Sequence, residues 1–209
     1  SQRVLRLRHE RASDAWVWET SPDGLHFTEQ QRSASAFPVS ALRWELEAGT
    51  YQPAQRVGSA MFDDLQLANS GFADDFAGAR RAELWTPGVL SEGGERYALS
   101  HVPVQHAGAL ALFAPPAAAS GTGYLSARSW DLTDGDARVE LAQVSAVGAR
   151  SVFALVLDPQ HWWRFEIADG VLRCQDQQEA GRSQTESSYD VHAHRYLRIA
   201  HHAAQSTLT

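Results

Sequence analysis

Short runs in which apolar and polar residues alternate dominate this chain. Residues 15–19 read Ala-Trp-Val-Trp-Glu, and residues 42–47 read Leu-Arg-Trp-Glu-Leu-Glu. Successive side chains of a β-strand point to opposite faces, so this spacing predicts strands with one buried face. Residues 151–157 are almost entirely apolar, which indicates a strand inside a sheet with both faces covered. The same alternation predicts strands over residues 4–8, 62–67, 124–128, 137–143, 162–167, 171–174 and 195–201.

Turn residues separate these runs. Residues 21–24 read Ser-Pro-Asp-Gly, and Asp169-Gly170 lies between two runs as the Asp-Gly pair of a β-hairpin does. Residues 69–71, Asn-Ser-Gly, predict a tight turn that makes 62–67 and 72–76 antiparallel neighbours. Helical periodicity is almost absent. We therefore predict an all-β fold, an antiparallel two-sheet jelly-roll sandwich.

Composition excludes several classes of protein. The chain has 209 residues and a formal net charge of −7, whereas a nucleic-acid-binding protein needs a basic surface. Its one cysteine, Cys174, can form no disulfide within the chain and rules out multi-cysteine metal sites. The longest apolar run, residues 107–119, contains two prolines and is too short to cross a bilayer. Because the sequence begins with serine and shows no signal peptide, we expect a piece of a longer or processed protein.

The two ends of the chain are similar to each other. Residues 3–12 and 195–204 lie 192 positions apart and share five of ten residues, namely Arg, Leu, Arg, His and Ala. A sandwich domain has about this length, so the match is typical of a tandem array cut within a repeat.

Several phrases of the sequence carry a family resemblance. Residues 72–76, Phe-Ala-Asp-Asp-Phe, followed by Glu83-Leu84-Trp85, resemble the opening strand of concanavalin A-like lectin/glucanase (laminarinase-type) jelly rolls. The phrases that resemble the middle strands are residues 123–126, 162–167 and 189–198; those that resemble the closing part are residues 16–24, 37–42 and 60–67. The resemblance covers nearly the whole chain, but the closing part precedes the opening part.

Two architectures fit this rotated order. Residues 1–68 and 72–209 are either halves of neighbouring domains or the halves of one circularly permuted jelly roll spanning residues 1–209. We favour the single domain, because separate halves would leave apolar sheet faces and strand edges uncovered. Only one of the two similar end segments then fits its position in the sheet. Because residues 4–8 run directly into the strand at 16–19, we expect the C-terminal copy to be displaced or docked on another molecule.

Hydrolysis of glycosides is the enzymatic function that the resemblance implies. Retaining glycosidases need two carboxyl groups about 5–5.5 Å apart, and laminarinase-type enzymes carry theirs on one strand as Glu-x-Asp-x-x-Glu. The sequence lacks this motif, and its nearest strings are Glu45-Leu46-Glu47 and an isolated Glu140. It also lacks a Ser-His-Asp order, a phosphate loop and a dinucleotide fingerprint. We therefore expect no catalytic residues.

Two aspartate pairs are candidate calcium ligands: Asp63, Asp64, Asp74 and Asp75. If the opening and closing strands pair, these carboxylates approach one another and favour a cation such as calcium, which takes about 6–8 oxygen ligands. The alternative is that one aspartate of each pair faces solvent. Alternation would place His192 and His194 on one strand face, which makes them candidates for a transition metal. They are weaker candidates than the aspartates, because the surrounding sequence is typical of the turn before a strand.

Tryptophans support a binding function, because aromatic rings along a sheet stack on the apolar faces of sugars. The candidate ligand-binding rings are Trp16, Trp18, Trp44, Trp130 and Trp162. Alternation sends Trp162 and Trp163 to opposite faces, so one of these two belongs to the core. Burial is the alternative for each of the others.

The sequence thus favours a non-catalytic carbohydrate-recognition or adhesion module of an extracellular, cell-surface or virion protein, such as a phage tail protein. A structural spacer of an adhesin or fibre and a divergent glycoside hydrolase are the alternatives. We expect carbohydrate as the partner, no nucleic acid, no membrane insertion and, through the duplicated end strand, self-association.

Overall fold

A computed structural model describes residues 14–50, 58–68, 70–78, 81, 83–91, 98–99, 103–106, 108–113, 120–133, 135–179 and 181–202. Its strands are β1 (Ala15–Ser21), β2 (Thr28–Ala34), β3 (Arg43–Thr50), β4 (Ser59–Leu67), β5 (Phe72–Asp74), β6 (Trp85–Pro87), β7 (Ala98–Leu99) and β8 (Val104–His106). The remaining strands are β9 (Ala109–Phe113), β10 (Ser120–Ser126), β11 (Asp136–Gln143), β12 (Arg150–Asp158), β13 (His161–Ala168), β14 (Val171–Gln178), β15 (Gly181–Ser188) and β16 (Tyr196–His202). No helix occurs among the described residues, and none of them forms a helix able to cross a membrane.

The strands form two eight-stranded sheets, so the predicted all-β class and the two-sheet arrangement are confirmed. The first sheet has the order β2-β1-β16-β11-β4-β9-β8, with β5 beside β4. The second has the order β15-β14-β13-β12-β3-β10-β6, with β7 beside β10. Neighbours are antiparallel except for the two-residue β7, which runs parallel to β10.

Predicted turns join several of these strands. Asp169 and Gly170 both have positive φ angles, 51° and 77°, as the Asp-Gly turn between β13 and β14 requires. Between β1 and β2, the Ser21 hydroxyl accepts hydrogen bonds from the amides of Asp23 and Gly24. Strands β4 and β5 pair antiparallel, with Leu67 opposite Phe72, as the sequence predicted.

Aromatic side chains from both sheets fill the space between them. Trp16 of the first sheet meets Trp163 of the second with ring centroids 4.2 Å apart, and Phe37 stacks on Trp163 at 3.8 Å. The indole nitrogen of Trp18 donates a hydrogen bond across the core to the carbonyl of Arg164. Burial of these large apolar surfaces holds the two sheets together as a sandwich.

The position of the C-terminal end segment differs from the prediction. Strand β16 lies inside the first sheet, between β1 and β11, so the expectation that this copy is displaced is wrong. Chain continuity does not exclude the C-terminal copy, because β16 follows β15 after only seven residues, 189–195. Residues 4–8, the predicted N-terminal strand, lie outside the described residues.

Candidate functional site

The predicted ligand-binding tryptophans lie in three different surroundings. Trp16, Trp18 and Trp44 lie between the sheets and are at most 1% exposed, so no ring face is open to a ligand as they stand. Trp130 is half-buried at the margin of the core and stacks on Trp44 with centroids 5.1 Å apart. Trp162, 4% exposed, lies in a separate buried cluster on the outer face of the second sheet, whereas Trp163 lies between the sheets, so the two rings point to opposite faces as predicted.

The outer face of the second sheet, which we call the charged face, carries side chains from β3 and β12–β15. They are Glu45, Glu47, Arg150, Trp162, Arg164, Glu166, Arg173, Gln175, Arg182, Gln184 and Glu186, brought together by the strand registers. Alternation along β12 sends Phe153 to the core and Val152 to this outer face, which explains why β12 is apolar throughout.

Ion pairs and hydrogen bonds occupy the buried half of the charged face. Arg150 donates to Oε1 of Glu47 from Nη2 at 2.6 Å and from Nε at 3.2 Å. Arg164 donates to Glu166 at 3.0 Å and to the side-chain oxygen of Gln175 at 2.7 Å. All five side chains are buried. Pairing of this kind compensates for much of the cost of removing the charges from water.

The same network continues to the exposed half, on the edge strand β15. Arg173 donates to Glu186 at 2.8 Å and to Glu166 at 3.2 Å. The Gln184 side chain receives a hydrogen bond from Gln175 and donates one to Glu186, both at 3.0 Å. Every residue of β15 is exposed, so this edge of the charged face offers donors and acceptors to solvent or to a ligand.

Two guanidinium groups and an apolar patch surround Trp162. Arg164 lies 4.5 Å and Arg182 lies 5.5 Å from the ring centroid, within the range of cation–π contacts. Val156 and Leu90 belong to the apolar cluster around the ring. Arg164 is buried and held by the network, whereas Arg182 is an exposed side chain of the edge strand. The Trp162 ring is itself only 4% exposed, so a ligand would reach it only after Arg182 and neighbouring side chains moved away.

Residues 88–91 form a strap across the other side of the charged face. The amides of Leu90 and Ser91 and the Ser91 hydroxyl all donate to the Glu45 carboxylate, the last at 2.6 Å. Burial raises the pKa of Glu45, and these hydrogen bonds oppose the rise. Gly123 lies directly under the strap, where a Cβ atom would come within 2.3 Å of the Gly88 carbonyl oxygen. The missing side chain at Gly123 is what lets the strap lie against the sheet.

The four predicted calcium ligands have separate roles. Asp74 accepts hydrogen bonds from the Phe76 amide and, at 2.7 Å, from the Trp85 indole nitrogen, so both its oxygens are engaged. Asp75 accepts one from the Ala77 amide, and Asp64 accepts one from Gln66. Burial raises the pKa of Asp63 to about 6, and the charges of Glu140, Asp64 and Asp75 act in the same direction. Among the described residues, no three His, Cys, Asp or Glu side chains are arranged to hold a metal ion, and the calcium site stays a prediction.

The two histidines named from the sequence lie at the end of the first sheet. A cavity of about 480 Å³ there is lined by Thr20, Thr28, Gln30, Asp190, His192 and His194. Asp190 accepts hydrogen bonds from the amides of His192 and Ala193, and its own amide donates to Nδ1 of His194. These groups are used within the turn that leads into β16, as expected for residues with a structural role.

Sequence reasoning missed most of the charged face. It singled out Glu45, Glu47 and Trp162 but none of the arginines or glutamines that bind them. The available signal was that polar residues alternate with core residues along β13 and β14: Arg164 follows Trp163, and Arg173 and Gln175 flank Cys174. It shows which face a polar residue occupies, but the partners come from strands far away along the chain, such as Arg150 for Glu47.

Compared with models of known protein families and with curated proteins, the chain matches neither a family nor a relative.

Proposed function

We propose that this protein is a non-catalytic recognition module that binds carbohydrate on the charged face, with Trp162 as its stacking ring. The observation that carries the proposal is the position of Trp162, in a small buried cluster on the outer face of the second sheet and beside the exposed Arg182 side chain. A sugar ring would take the place of the Arg182 guanidinium over the indole.

Polar groups suited to sugar hydroxyls surround that ring. Arg173, Gln184 and Glu186 present a planar guanidinium, an amide and a carboxylate along the exposed edge, already held in place by mutual hydrogen bonds. Groups fixed in this way lose little conformational freedom on binding, which favours affinity. Trp130, half-buried beside Trp44, is more exposed than Trp162 and is a second candidate stacking ring.

The contacts of Glu45 and Glu47, the string nearest to the missing glycosidase motif, favour recognition over hydrolysis. Glu45 accepts three hydrogen bonds from the strap, and Glu47 is ion-paired with Arg150. A glycosidase needs one carboxyl group free to give a proton and another free to attack or to activate water. We expect no hydrolysis of β-glucans above background.

The proposed function is linked to a proposed topology of the sandwich. We infer that the sandwich is a concanavalin A-like jelly roll in circularly permuted order, with residues 1–68 as the closing part. The interleaving of strands β1–β4 with later strands in both sheets supports this. We place the module on an extracellular, cell-surface or virion protein, where such recognition acts. A structural spacer is the second candidate, supported by the similarity of the chain ends.

A glycan array tests the function. The intact chain should be retained by one class of oligosaccharide, and Arg182→Ala combined with Gln184→Ala should alter that retention several-fold. Arg32→Ala is the matched control, because Arg32 lies on β2, the edge strand of the other sheet. Binding to no glycan, or equal effects of both sets of changes, would contradict the proposed site.

A further inference from the structure

Strand β15 lies at one end of the second sheet and forms a long, regular edge. It pairs with β14 over eight residue pairs without a register shift, every one of its residues is exposed, and it contains no proline. Of the other edge strands in the described part of the chain, β6 and β8 have three residues each, and β2 pairs with β1 across a register shift at Trp18 and Glu19. Strand β15 is therefore the edge best formed for pairing with a further strand.

The backbone groups of alternate β15 residues point away from β14. The Tyr189 amide donates a hydrogen bond to the Gly170 carbonyl, and this contact continues the β14–β15 register by one pair. In an antiparallel ladder, hydrogen-bonded and non-bonded pairs alternate. The odd-numbered residues of β15 thus bond to β14, whereas the even-numbered residues present their N–H and C=O groups at the sheet edge. The side chains of three of these, Arg182, Gln184 and Glu186, lie on the charged face.

These three side chains are arranged symmetrically about Gln184. When two copies of β15 pair antiparallel with Gln184 opposite Gln184 of the second copy, each Arg182 lies opposite a Glu186, and no two like charges are opposite each other. Moving the centre of this pairing by one residue in either direction places Arg182 opposite a neutral residue, Gln184 or Ser188. The register centred on Gln184 is thus the one that brings opposite charges together.

The charged groups of β15 are able to form these contacts. Arg173 and Gln184 both donate to Oε1 of Glu186, and among the described residues none donates to its Oε2. Arg182 has no carboxylate partner within the described ranges, and its guanidinium group lies 5.5 Å from the centroid of the Trp162 ring. Arg182 therefore gains an ion pair on association without giving up another.

Strand β2, the other long edge, lacks this symmetry. Its charged residues, Glu29 and Arg32, lie three positions apart and form an ion pair with each other at 2.8 Å. A two-fold pairing of the kind described for β15 joins residues that are an even number of positions apart, so it never places Glu29 opposite Arg32 of the second copy. The self-complementary order of charges belongs to β15 alone among these two edges.

We propose that this protein forms a symmetric dimer through antiparallel pairing of β15 with β15 of a second copy, centred on Gln184. The outward-facing residues 182, 184 and 186 of each copy supply about six interstrand hydrogen bonds. The two Arg182–Glu186 pairs define the register. The two-fold axis is perpendicular to the sheet, so the two second sheets become one continuous sheet with both charged faces on the same side. The partner is a second copy because one strand supplies both of the charges that meet. This inference does not depend on carbohydrate binding.

Charge reversal and mixing test the interface. Sedimentation velocity of the intact chain over a range of concentrations should show a monomer–dimer equilibrium. Arg182→Glu places like charges opposite each other at both ends of the interface, and Glu186→Arg does the same with the opposite sign, so each variant alone should dimerise about tenfold more weakly. A 1:1 mixture of the two variants restores both attractive pairs and should form heterodimers. Arg32→Glu, on the edge of the other sheet, is the matched control and should dimerise as the parent does.

Three results of this experiment would overturn the proposal. The first is a parent chain that stays monomeric at every concentration. The second is a dimer that both charge reversals leave intact, because such a dimer would use another surface. The third is a mixture of the two variants that associates no better than either variant alone.

An engineered cysteine tests the register. Hydrogen-bonded pairs of antiparallel strands have Cα atoms about 5.5 Å apart, which suits a disulfide. Gln184→Cys places two cysteines opposite each other, so mild oxidation should give disulfide-linked dimers on a non-reducing gel. Ser188→Cys is the control, equally exposed on the same strand but about 27 Å from its counterpart in the proposed register. Equal linkage of the two variants would contradict the pairing. Cys174 is buried and does not interfere.

Discussion

At the scale of single residues, the charged face places ionised side chains where water does not reach them. Glu47 and Arg150 are both about 1% exposed or less, and two guanidinium nitrogens of Arg150 donate to the same carboxylate oxygen of Glu47. Removing one partner leaves the other charge buried without compensation, whereas replacing both by apolar residues removes the desolvation cost as well. The ion pair therefore contributes more to the specificity of the fold than to its stability.

This leads to a double-mutant prediction. Glu47→Ala should lower the free energy of unfolding by about 3–5 kcal/mol, because Arg150 loses its closest carboxylate. Glu47→Leu combined with Arg150→Met should recover most of that loss. Glu186→Ala, at the exposed end of the same network, should cost no more than about 1 kcal/mol. Urea denaturation measures all three, and a double variant as unstable as Glu47→Ala would contradict this reading.

Asp63 makes stability depend on pH in a defined direction. Its pKa is raised to about 6 in the folded protein, above the value of about 3.9 expected in the unfolded chain. The folded state therefore binds the proton more tightly, so this contribution to stability is present below pH of about 4 and is lost as pH rises through about 6.

Asp63→Asn should accordingly raise the melting temperature at pH 7.5 and leave it nearly unchanged at pH 4. The asparagine oxygen still accepts the hydrogen bond that Asp63 receives from the Asp64 amide. Glu179→Gln, at an exposed turn, is the control and should have no effect at either pH. Repeating the scans with added calcium, and again with a chelator, tests the predicted calcium site. A variant that is less stable than the parent at pH 7.5 would argue that Asp63 is ionised and bound to a cation.

At the scale of elements, alternation predicted many of the core-facing strands but missed β9 and the edge strands β2 and β15. Strands β2 and β15 are polar on both faces, with sequences Thr-Glu-Gln-Gln-Arg-Ser-Ala and Gly-Arg-Ser-Gln-Thr-Glu-Ser-Ser. They lie at the edges of the two sheets, where neither face is fully buried and polar residues discourage aggregation. A strand with no buried face needs no alternation of apolar and polar residues, so its sequence lacks the pattern by which strands are predicted.

The strap over β10 gives a prediction at this scale. Gly123→Ala places a methyl group against the backbone of Gly88, which must move, so we expect a loss of about 1–3 kcal/mol and faster hydrogen exchange at the Leu90 and Ser91 amides. Gly78→Ala is the control, since its added Cβ atom meets nothing within 4 Å. Equal stability of the two variants would mean that the strap is not seated on Gly123.

At the scale of the whole molecule, the class of fold could be predicted and the arrangement of strands could not. The turn residues Asp169-Gly170 correctly predicted the β13–β14 hairpin, and residues 69–71 correctly predicted the β4–β5 pairing. The place of β16 escaped prediction because residues 3–12 and 195–204 are similar in sequence, and the similarity does not show which segment enters the sheet. The tryptophan-rich pattern left both burial and binding open, since both use large apolar rings.

Indole NMR signals of the bound protein test the central claim most directly. The chain has seven tryptophans, so selective ¹⁵N labelling gives seven indole N–H signals, and Trp162→Phe identifies that of Trp162. On titration with the oligosaccharide best retained on the array, the Trp162 signal should shift most, while those of Trp16, Trp18, Trp44 and Trp163, which lie between the sheets, stay in place. Binding that shifts the Trp130 signal and leaves the Trp162 signal unmoved would contradict the account.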